Sequence, residues 1–172
     1  MNATTRVVAG GYSIIADTGS GWRTTTVSND NFGNTNSVNF YVRIVTWNGT
    51  HFVAVGNSET SITGSTNAAY SADGINWTFV SLPTVPTNGL YARVVISVGS
   101  AVYAIADGAG VNFNAPASHV LKSTDNGVTW SVEYSNTNAN TNIVRDQFSM
   151  AASGNTLYSV GWSTRGYRYV LP

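Results

Sequence analysis

The chain contains no cysteine and little charge. Only 9% of its 172 residues are Asp, Glu, Lys or Arg, whereas an ordinary globular protein has roughly 25%. Without cysteine, disulfides and thiolate sites are excluded. Asn, Thr, Ser and Gly take the place of charge, and these residues favour turns and compete with helices. Their strings predict either ordinary surface loops or a surface that binds neutral polar groups such as sugars.

Clusters of positive charge and long apolar runs are also lacking. Eight Lys and Arg balance eight Asp and Glu, so the charge that a phosphate backbone attracts is absent. No apolar run approaches the roughly 20 residues that span a bilayer. Residues 1–6 lack the basic-then-apolar layout of a signal peptide. We therefore expect no nucleic-acid partner and no membrane span, in a single domain that fills residues 1–172.

A hairpin pattern recurs three times along the chain, over residues 43–56, 93–106 and 148–161. Each copy has an apolar strand, a tight turn with glycine and a second strand. The aligned turn glycines are Gly49, Gly99 and Gly154, and glycine supplies the positive φ of a short hairpin. Repeated hairpins in one phase predict an all-β repeat protein.

A second pattern, with Asp, Gly and Trp in order, follows the first and the second hairpin, and a further copy precedes the first hairpin. Residues 71–77 and 123–130 carry it in full, and residues 17–22 are a weaker copy. Asp accepts hydrogen bonds from the following backbone amides, Gly takes the left-handed conformation and Trp buries its ring. The predicted turn residues are Asp17, Gly19, Trp22, Ser71, Asp73, Gly74, Trp77, Ser123, Asp125, Gly127 and Trp130.

Residues 123–130 match the Asp-box, or BNR repeat, of sialidases and related β-propellers. Residues 71–77 resemble it with one residue fewer between Asp and Gly, and residues 17–22 have Ile15 in place of the leading Ser. The resemblance implies β-propeller blades of four antiparallel strands, with the box in the turn between the third and fourth strands, away from any active site. It therefore implies that the turn residues are structural.

The repeats predict about three blades per chain. One blade covers residues 41–82, another covers 91–134, and residues 148–172 plus 1–26 make a composite blade. Closed propellers have about four to eight blades, so we expect two chains to join head to tail into a six-bladed ring. In that ring the C-terminal hairpin of one chain completes the blade begun at its partner's N-terminus. The alternatives are a monomer with a small composite blade or a piece of a larger assembly.

Catalysis is the interpretation that the residues support least. The sialidase resemblance implies an arginine triad, but Phe148 occupies the third position equivalent to Arg43 and Arg93. Hydrolysis of glycosides uses two placed carboxylates, and the spacing of Glu59 and Glu133 suggests no such pair. We therefore predict no enzymatic activity.

No cofactor or metal site is predicted either. His51 and His119 have no second ligand at metal spacing, and Glu133 is expected to face solvent in an alternating strand. Phosphate-binding loops and the G-x-S-x-G element of hydrolases are missing from the sequence.

Binding residues are expected on one face of the domain, because function collects on long loops over a rigid scaffold. The long connections there cover residues 28–40, 57–67, 83–90, 107–118 and 136–146. The candidate ligand-binding residues are Arg43, Glu59, Arg93, Asp107, Asn112, Phe113, Arg145, Asp146, Arg165 and Tyr167. Alternatively, the two strand-end arginines only bond to neighbouring loops.

A compact, charge-poor, cysteine-free β chain rich in Asn, Thr and Ser resembles bacteriophage virion proteins, whose tail, knob and capsid-decoration modules often carry such repeats. We expect a non-enzymatic surface or structural protein, virion-borne or extracellular, that partners copies of itself or other virion proteins. It would attach the particle to a host glycan through multivalency. The alternative is a free-standing carbohydrate-binding lectin, although Trp47, Ser97 and Ala152 fill one aligned position without common chemistry. A degenerate glycosidase is the third interpretation.

Overall fold

The computed structural model describes residues 5–11, 13–26, 40–58, 66–83, 90–108, 118–136, 147–161 and 166–171. In these ranges the chain forms strands and no helix, which confirms the all-β prediction. The strands are β1 (Arg6–Gly10), β2 (Ser13–Asp17), β3 (Trp22–Thr26), β4 (Phe40–Trp47), β5 (Phe52–Ser58), β6 (Thr66–Ser71), β7 (Thr78–Ser81), β8 (Leu90–Val98), β9 (Ala101–Gly108), β10 (Ser118–Ser123), β11 (Ser131–Asn136), β12 (Gln147–Ser153), β13 (Thr156–Gly161) and β14 (Gly166–Val170).

The strands form four antiparallel sheets, each a meander in chain order. Sheet I contains β1–β3, sheet II β4–β7, sheet III β8–β11 and sheet IV β12–β14. Three predicted hairpins are confirmed, since β4 pairs with β5, β8 with β9 and β12 with β13. Their turn glycines Gly49, Gly99 and Gly154 have φ values of 98°, 59° and 57°.

The two terminal sheets each contain three strands, one fewer than sheets II and III. The sequence predicted that residues 1–26 supply part of a composite blade, and in the structure this range contains three strands, β1–β3. Val8 of β1 pairs with Ile15, and Phe52 of β5 pairs with Ser71. Ile15 and Ser71 are equivalent, because each lies two residues before a turn aspartate. Strand β1 therefore takes the place of a second strand. Within the described residues, sheet I thus has no first strand and sheet IV has no fourth. They are separate sheets within this chain, and ring closure between chains stays a prediction.

The sheets stack face to face in chain order, because each strand alternates its side chains between two apolar faces. Strand β4 contacts β1, β8 contacts β4 and β5, and β12 contacts β8. One core lies between sheets I and II, one between II and III and one between III and IV. Their buried members include Ile14, Phe52 and Trp77 in the first, Val53, Val55, Ala104 and Leu121 in the second, and Tyr103, Val120, Leu157 and Leu171 in the third.

The strand registers separate two ends of the molecule. The turns that join β4 to β5 and β6 to β7 lie at the same end of sheet II, since Phe52 pairs with both Trp47 and Ser71. Sheet III repeats this arrangement, with Val102 paired to Ser97 and Ser123. We call this the turn end. The opposite, loop end is where the strands enter the connections 27–39, 59–65, 84–89, 109–117 and 137–146, which lie outside the described residues.

Candidate binding site at the bulged first strands

The first strands of sheets II, III and IV share an irregularity near the loop end. The register shifts between Val42 and Ile44 in β4, between Ala92 and Val94 in β8, and between Gln147 and Ser149 in β12. Each shift is a bulge of one extra residue, and bulges re-aim side chains beside many functional sites. The three extra residues are Arg43, Arg93 and Phe148, the positions that the sequence alignment made equivalent.

Arg43 is exposed, and its guanidinium carbon lies 5.1 Å from the centroid of the Tyr41 ring. Such a cation–π contact at an exposed site contributes about 0.5–1 kcal/mol. At this bulge Gly56 approaches the backbone of β4 closely, since a Cβ on Gly56 would lie 1.9 Å from the carbonyl oxygen of Tyr41. Ala106 occupies the equivalent register at the second bulge, so that bulge forms without a glycine at this position.

Sequence reasoning missed Tyr41, although a signal was present. The pattern Tyr-x-Arg occurs at Tyr41 and Arg43 and again at Tyr91 and Arg93. Arg93 is half-buried, and Tyr91 lies in β8 with its side chain outside the described residues. The contact between an aromatic ring and a cation is observed at the first bulge, and the sequence repeats the same pair of residue types at the second.

Of the other candidate residues, the structure describes only the backbones of Asp107 and Tyr167. Asp107 lies in β9, where its backbone pairs with Tyr91 at the loop end. Tyr167 lies in β14, paired with Ser159. The side chains of Asp107 and Tyr167 are outside the described residues, as are Glu59, Asn112, Phe113, Arg145, Asp146 and Arg165 in full. The structure thus brings Arg93 and the backbone of Asp107 to one end of sheet III.

The turn end is built from what we call the aspartate turns: the first at residues 17–22, the second at 71–77 and the third at 123–130. In the second, the amides of Ile75 and Asn76 each donate to Asp73 at 2.8 Å. The Ser71 hydroxyl donates to Asp73 and accepts from the amide of Gly74. Partial burial raises the pKa of Asp73, but the hydrogen bonds from Asn76 and Ile75 outweigh it and lower the pKa to about 2.

The third turn repeats this network with one residue more. Asp125 accepts from the amide and the hydroxyl of Thr129 and from the Ser123 hydroxyl. Burial acts to raise the pKa of Asp125, and these hydrogen bonds outweigh it and lower the pKa. Trp130 Nε1 donates to the carbonyl of Gly127 at 3.0 Å. In the first turn, the amides of Gly19 and Gly21 donate to Asp17 at 2.9 and 3.2 Å.

The third turn also locks sheet III to sheet II. Asn126 has a φ of 65°, a left-handed conformation that Asn tolerates better than most residues. Its side-chain oxygen lies 3.0 Å from Nδ2 of Asn48 and 2.8 Å from the Thr50 hydroxyl, both in the turn between β4 and β5. A Cβ on Gly127 would lie 2.8 Å from Val53. Hydrogen bonds and close packing therefore join the third turn to sheet II at the turn end.

Burial of the turn tryptophans depends on the preceding sheet. Trp77 is 6% exposed and packs in the core between sheets I and II, and Trp130 is partly buried against the core between sheets II and III. Trp22 is 51% exposed, in contrast to the expectation that each turn tryptophan buries its ring. Within the described residues, no sheet lies on this side of sheet I to cover the indole.

Buried polar groups elsewhere are few. His119 in β10 is 4% exposed, with Nδ1 2.8 Å from the Ser135 hydroxyl. Burial lowers the pKa of His119, because it disfavours the charged form of the ring. Glu133, predicted to face solvent, is paired with Lys122 at 3.6 Å. Among the described residues, no three His, Cys, Asp or Glu side chains form a group that could hold a metal ion.

Comparison of the chain with models of protein families, with curated proteins and with solved structures found no match. Within the described ranges, no helix has the length and apolarity to cross a membrane. The likeness to Asp-box propellers therefore rests on the sequence pattern and stays a prediction. What the structure establishes is an all-β chain of antiparallel sheets with three or four strands each.

Proposed function

We propose that the protein is a non-enzymatic surface component of a virus particle, of the capsid-decoration or tail type, whose loop-end face attaches to a host glycan. One observation carries the choice of face: equivalent bulges present Arg43 and Arg93 near the loop end, with Tyr41 beside the first. An aromatic ring and a cation side by side suit a sugar, which offers both C–H surface and hydroxyl acceptors. The particle assignment is supported by the cysteine-free, charge-poor composition.

The proposal includes a β-propeller scaffold. Its support is the succession of meander sheets stacked face to face, with contacts that run from β1 to β4 to β8 to β12. First strands that contact one another from sheet to sheet, as β4, β8 and β12 do, are typical of blades around a central axis. A scaffold of this kind repeats its loop-end positions, and repeated weak sites gain avidity of roughly 10²–10⁴ when several engage one surface.

The carboxylates with described side chains favour binding over glycoside chemistry. Asp17, Asp73 and Asp125 accept hydrogen bonds from their own turns. Glu133 pairs with Lys122. A glycosidase needs two carboxylates across a scissile bond, and these four are each occupied at the turn end or in an ion pair.

The experiment is binding of the purified chain to an array of immobilised glycans. The double variant Arg43→Ala/Arg93→Ala should lose binding by about tenfold or more, which corresponds to about 1.4 kcal/mol. The matched control is Arg23→Ala, since Arg23 is an exposed arginine in β3. Unchanged binding by the double variant, or equal loss in the control, would remove the bulged arginines from the site.

Membership of a particle needs its own measurement. Antibodies against the chain should label particles released by a producing culture, seen by electron microscopy. Glycan binding without particle labelling would replace the proposal with a free-standing lectin. Turnover of a fluorogenic sialoside that Arg93→Ala abolishes would replace it with a glycosidase.

A further inference from the structure

The three sheet interfaces within the chain all join the same two kinds of face. In the second strands, the hairpin registers make Phe52, Val102 and Leu157 equivalent, because they pair with the last or next-to-last residue of the first strand. Their side chains point toward the preceding sheet, and we call that side of a sheet its backward face. The neighbouring residues, such as Val53 and Tyr103, point toward the next sheet, on the forward face.

Forward faces are buried wherever another sheet follows. Val53 and Val55 of sheet II are both 0% exposed, and Tyr103 of sheet III is 4% exposed. In sheet IV the residues equivalent to Val53 and Val55 are Tyr158 and Val160, which are 45% and 57% exposed. Sheet IV therefore ends the stack with a forward face that has no covering sheet within the described chain. This face carries the apolar side chains of Tyr158 and Val160 and also the exposed Arg168, which pairs with Tyr158.

Backward faces are buried wherever another sheet precedes them, and the backward face at the start of the stack is exposed. Phe52, Val102 and Leu157 are 9%, 0% and 2% exposed, because a sheet precedes each of them. Their equivalent in sheet I is Val8, which is 53% exposed. Trp22 lies on the same side of sheet I, through the register that pairs it with Asp17, and is 51% exposed. Sheet I thus begins the stack with an open backward face.

We propose that these two open faces bind each other between two copies of the chain. The forward face of sheet IV, with Tyr158, Val160 and Val170, would pack on the partner's backward face of sheet I. Each chain has one face of each kind, and the contact joins the same two kinds of face as the three internal interfaces. At each internal interface the following sheet contributes its first strand, β4, β8 or β12, whereas sheet I contributes β1–β3. Such a head-to-tail contact is heterologous, and it generates a closed ring when the rotation allows.

A ring of two copies fits the number of blades found in closed propellers. Each chain contributes four sheets, so two chains make eight, and closed propellers have about four to eight blades. The contact is face to face between two three-stranded sheets, one from each chain. It therefore replaces the six-bladed ring predicted from the sequence, in which strands from two chains shared one blade. The inference concerns assembly and does not depend on the proposed attachment to a glycan.

Sedimentation of the purified chain tests the ring, with an expected mass of twice 18.2 kDa. Val160→Glu and Val8→Glu each bring a charge into the contact and should weaken dimerisation by about tenfold or more. Both side chains are exposed in the single chain, so neither variant disturbs a core. The matched control is Val132→Glu, since Val132 is a partly exposed valine in β11, outside both open faces. A wild-type chain of 18.2 kDa at every concentration would overturn the proposal.

Mixing the two variants distinguishes a head-to-tail contact from a symmetric one. A Val160→Glu chain keeps an intact backward face and a Val8→Glu chain keeps an intact forward face, so the mixture should form one-to-one dimers through a single good interface. If forward faces instead bound each other, Val8→Glu would dimerise by itself, and the head-to-tail proposal would fail.

Crosslinking locates the contact, and the absence of native cysteine makes it clean. A short bismaleimide should join Val8→Cys chains to Val160→Cys chains in a mixture, and should leave each variant alone largely uncrosslinked. A chain that carries both substitutions and crosslinks within itself at high dilution would show that the four sheets close inside one chain. That result would overturn the two-chain ring.

Discussion

At the scale of single residues, Asp73 shows how a carboxylate stabilises its own turn. Its folded pKa of about 2 lies below the ordinary value of 3.8, so the unfolded chain binds more protons between these values. The contribution of Asp73 to stability is therefore complete above about pH 4 and is lost as the pH falls toward about 2.

Asp73→Asn should reduce the free energy of unfolding by about 1 kcal/mol at neutral pH, because it replaces charge-assisted hydrogen bonds with weaker ones. The loss should shrink as the pH falls through the acid range, where wild-type Asp73 is itself protonated. Urea denaturation at neutral pH and near pH 2 measures both values. An equal loss at the two pH values would contradict the role of the ionised carboxylate.

We expect a second pH dependence of stability from His119, which has burial as its cause where Asp73 has hydrogen bonds. Burial lowers its pKa from 6.5 in the fold, so protonation favours the unfolded chain. Stability should be complete above the ordinary pKa and fall as the pH drops below about 6.5. In His119→Asn, which retains a polar group near Ser135, this slope should disappear from urea denaturation curves. Ser135→Ala is the control, because it removes the hydroxyl next to Nδ1 and leaves the titrating ring.

At the scale of elements, each aspartate turn after the first is shaped by the strand that it covers. Gly127 has a φ of 88°, and a Cβ there would lie 2.8 Å from Val53. Gly127→Ala therefore combines backbone strain with a clash and should cost about 1–3 kcal/mol in unfolding free energy. Gly49→Ala is the matched control, because Gly49 has a φ of 98° with nothing within 4 Å of its Cβ position.

A double-mutant cycle separates the clash from the strain. Val53→Ala makes room for the new methyl group, so the cost of Gly127→Ala should fall in that background, while the cost of Gly49→Ala should not. Thermal or urea unfolding of the variants gives the coupling. Independent costs for Gly127→Ala and Val53→Ala would show that the turn does not press on β5.

The elements that the sequence predicted are those specified by local chemistry. The hairpins at Gly49 and Gly99 follow from glycine between two alternating strands, and the hydrogen bonds of Asp73 lie within one turn. Strand β1 has the same kind of signal, since Gly10 and Gly11 separate two apolar runs and Gly11 has a φ of 63°, but it was not among the predicted hairpins. The bulge at Arg43 has no such local signal, since it is a property of the register of β4 against β5.

The sequence was enough to predict which positions of the repeats are equivalent in the candidate site, and it did not predict the bulges or the contact between Tyr41 and Arg43. Alignment of the repeats is enough to make Arg43 equivalent to Arg93, because a repeat carries its register along the chain. The exposed ends of the stack have no such signal in the sequence. Val8 and Val160 look like ordinary strand valines, and only the order of the sheets shows that no neighbour within the described chain covers them.

At the scale of the whole molecule, stability should be uneven along the stack. Sheets II and III have both faces covered, whereas sheets I and IV each expose one. Local opening is easier where fewer apolar contacts must break. Hydrogen exchange should therefore be slower in β5 and β9 than in β2 and β13, and all four strands have a paired neighbour on each side, so the ladder itself is matched.

The same exchange rates should depend on protein concentration. When two chains close a ring, the open faces of sheets I and IV become interfaces, and dimerisation stabilises them by mass action. Exchange in β2 and β13 should then slow with rising concentration toward the rates of β5 and β9, and Val160→Glu should abolish that dependence. Slow, concentration-independent exchange in β13 would mean that its forward face is already covered within one chain. Fast exchange in β13 at every concentration would mean that the stack stays open, with four sheets and two apolar ends.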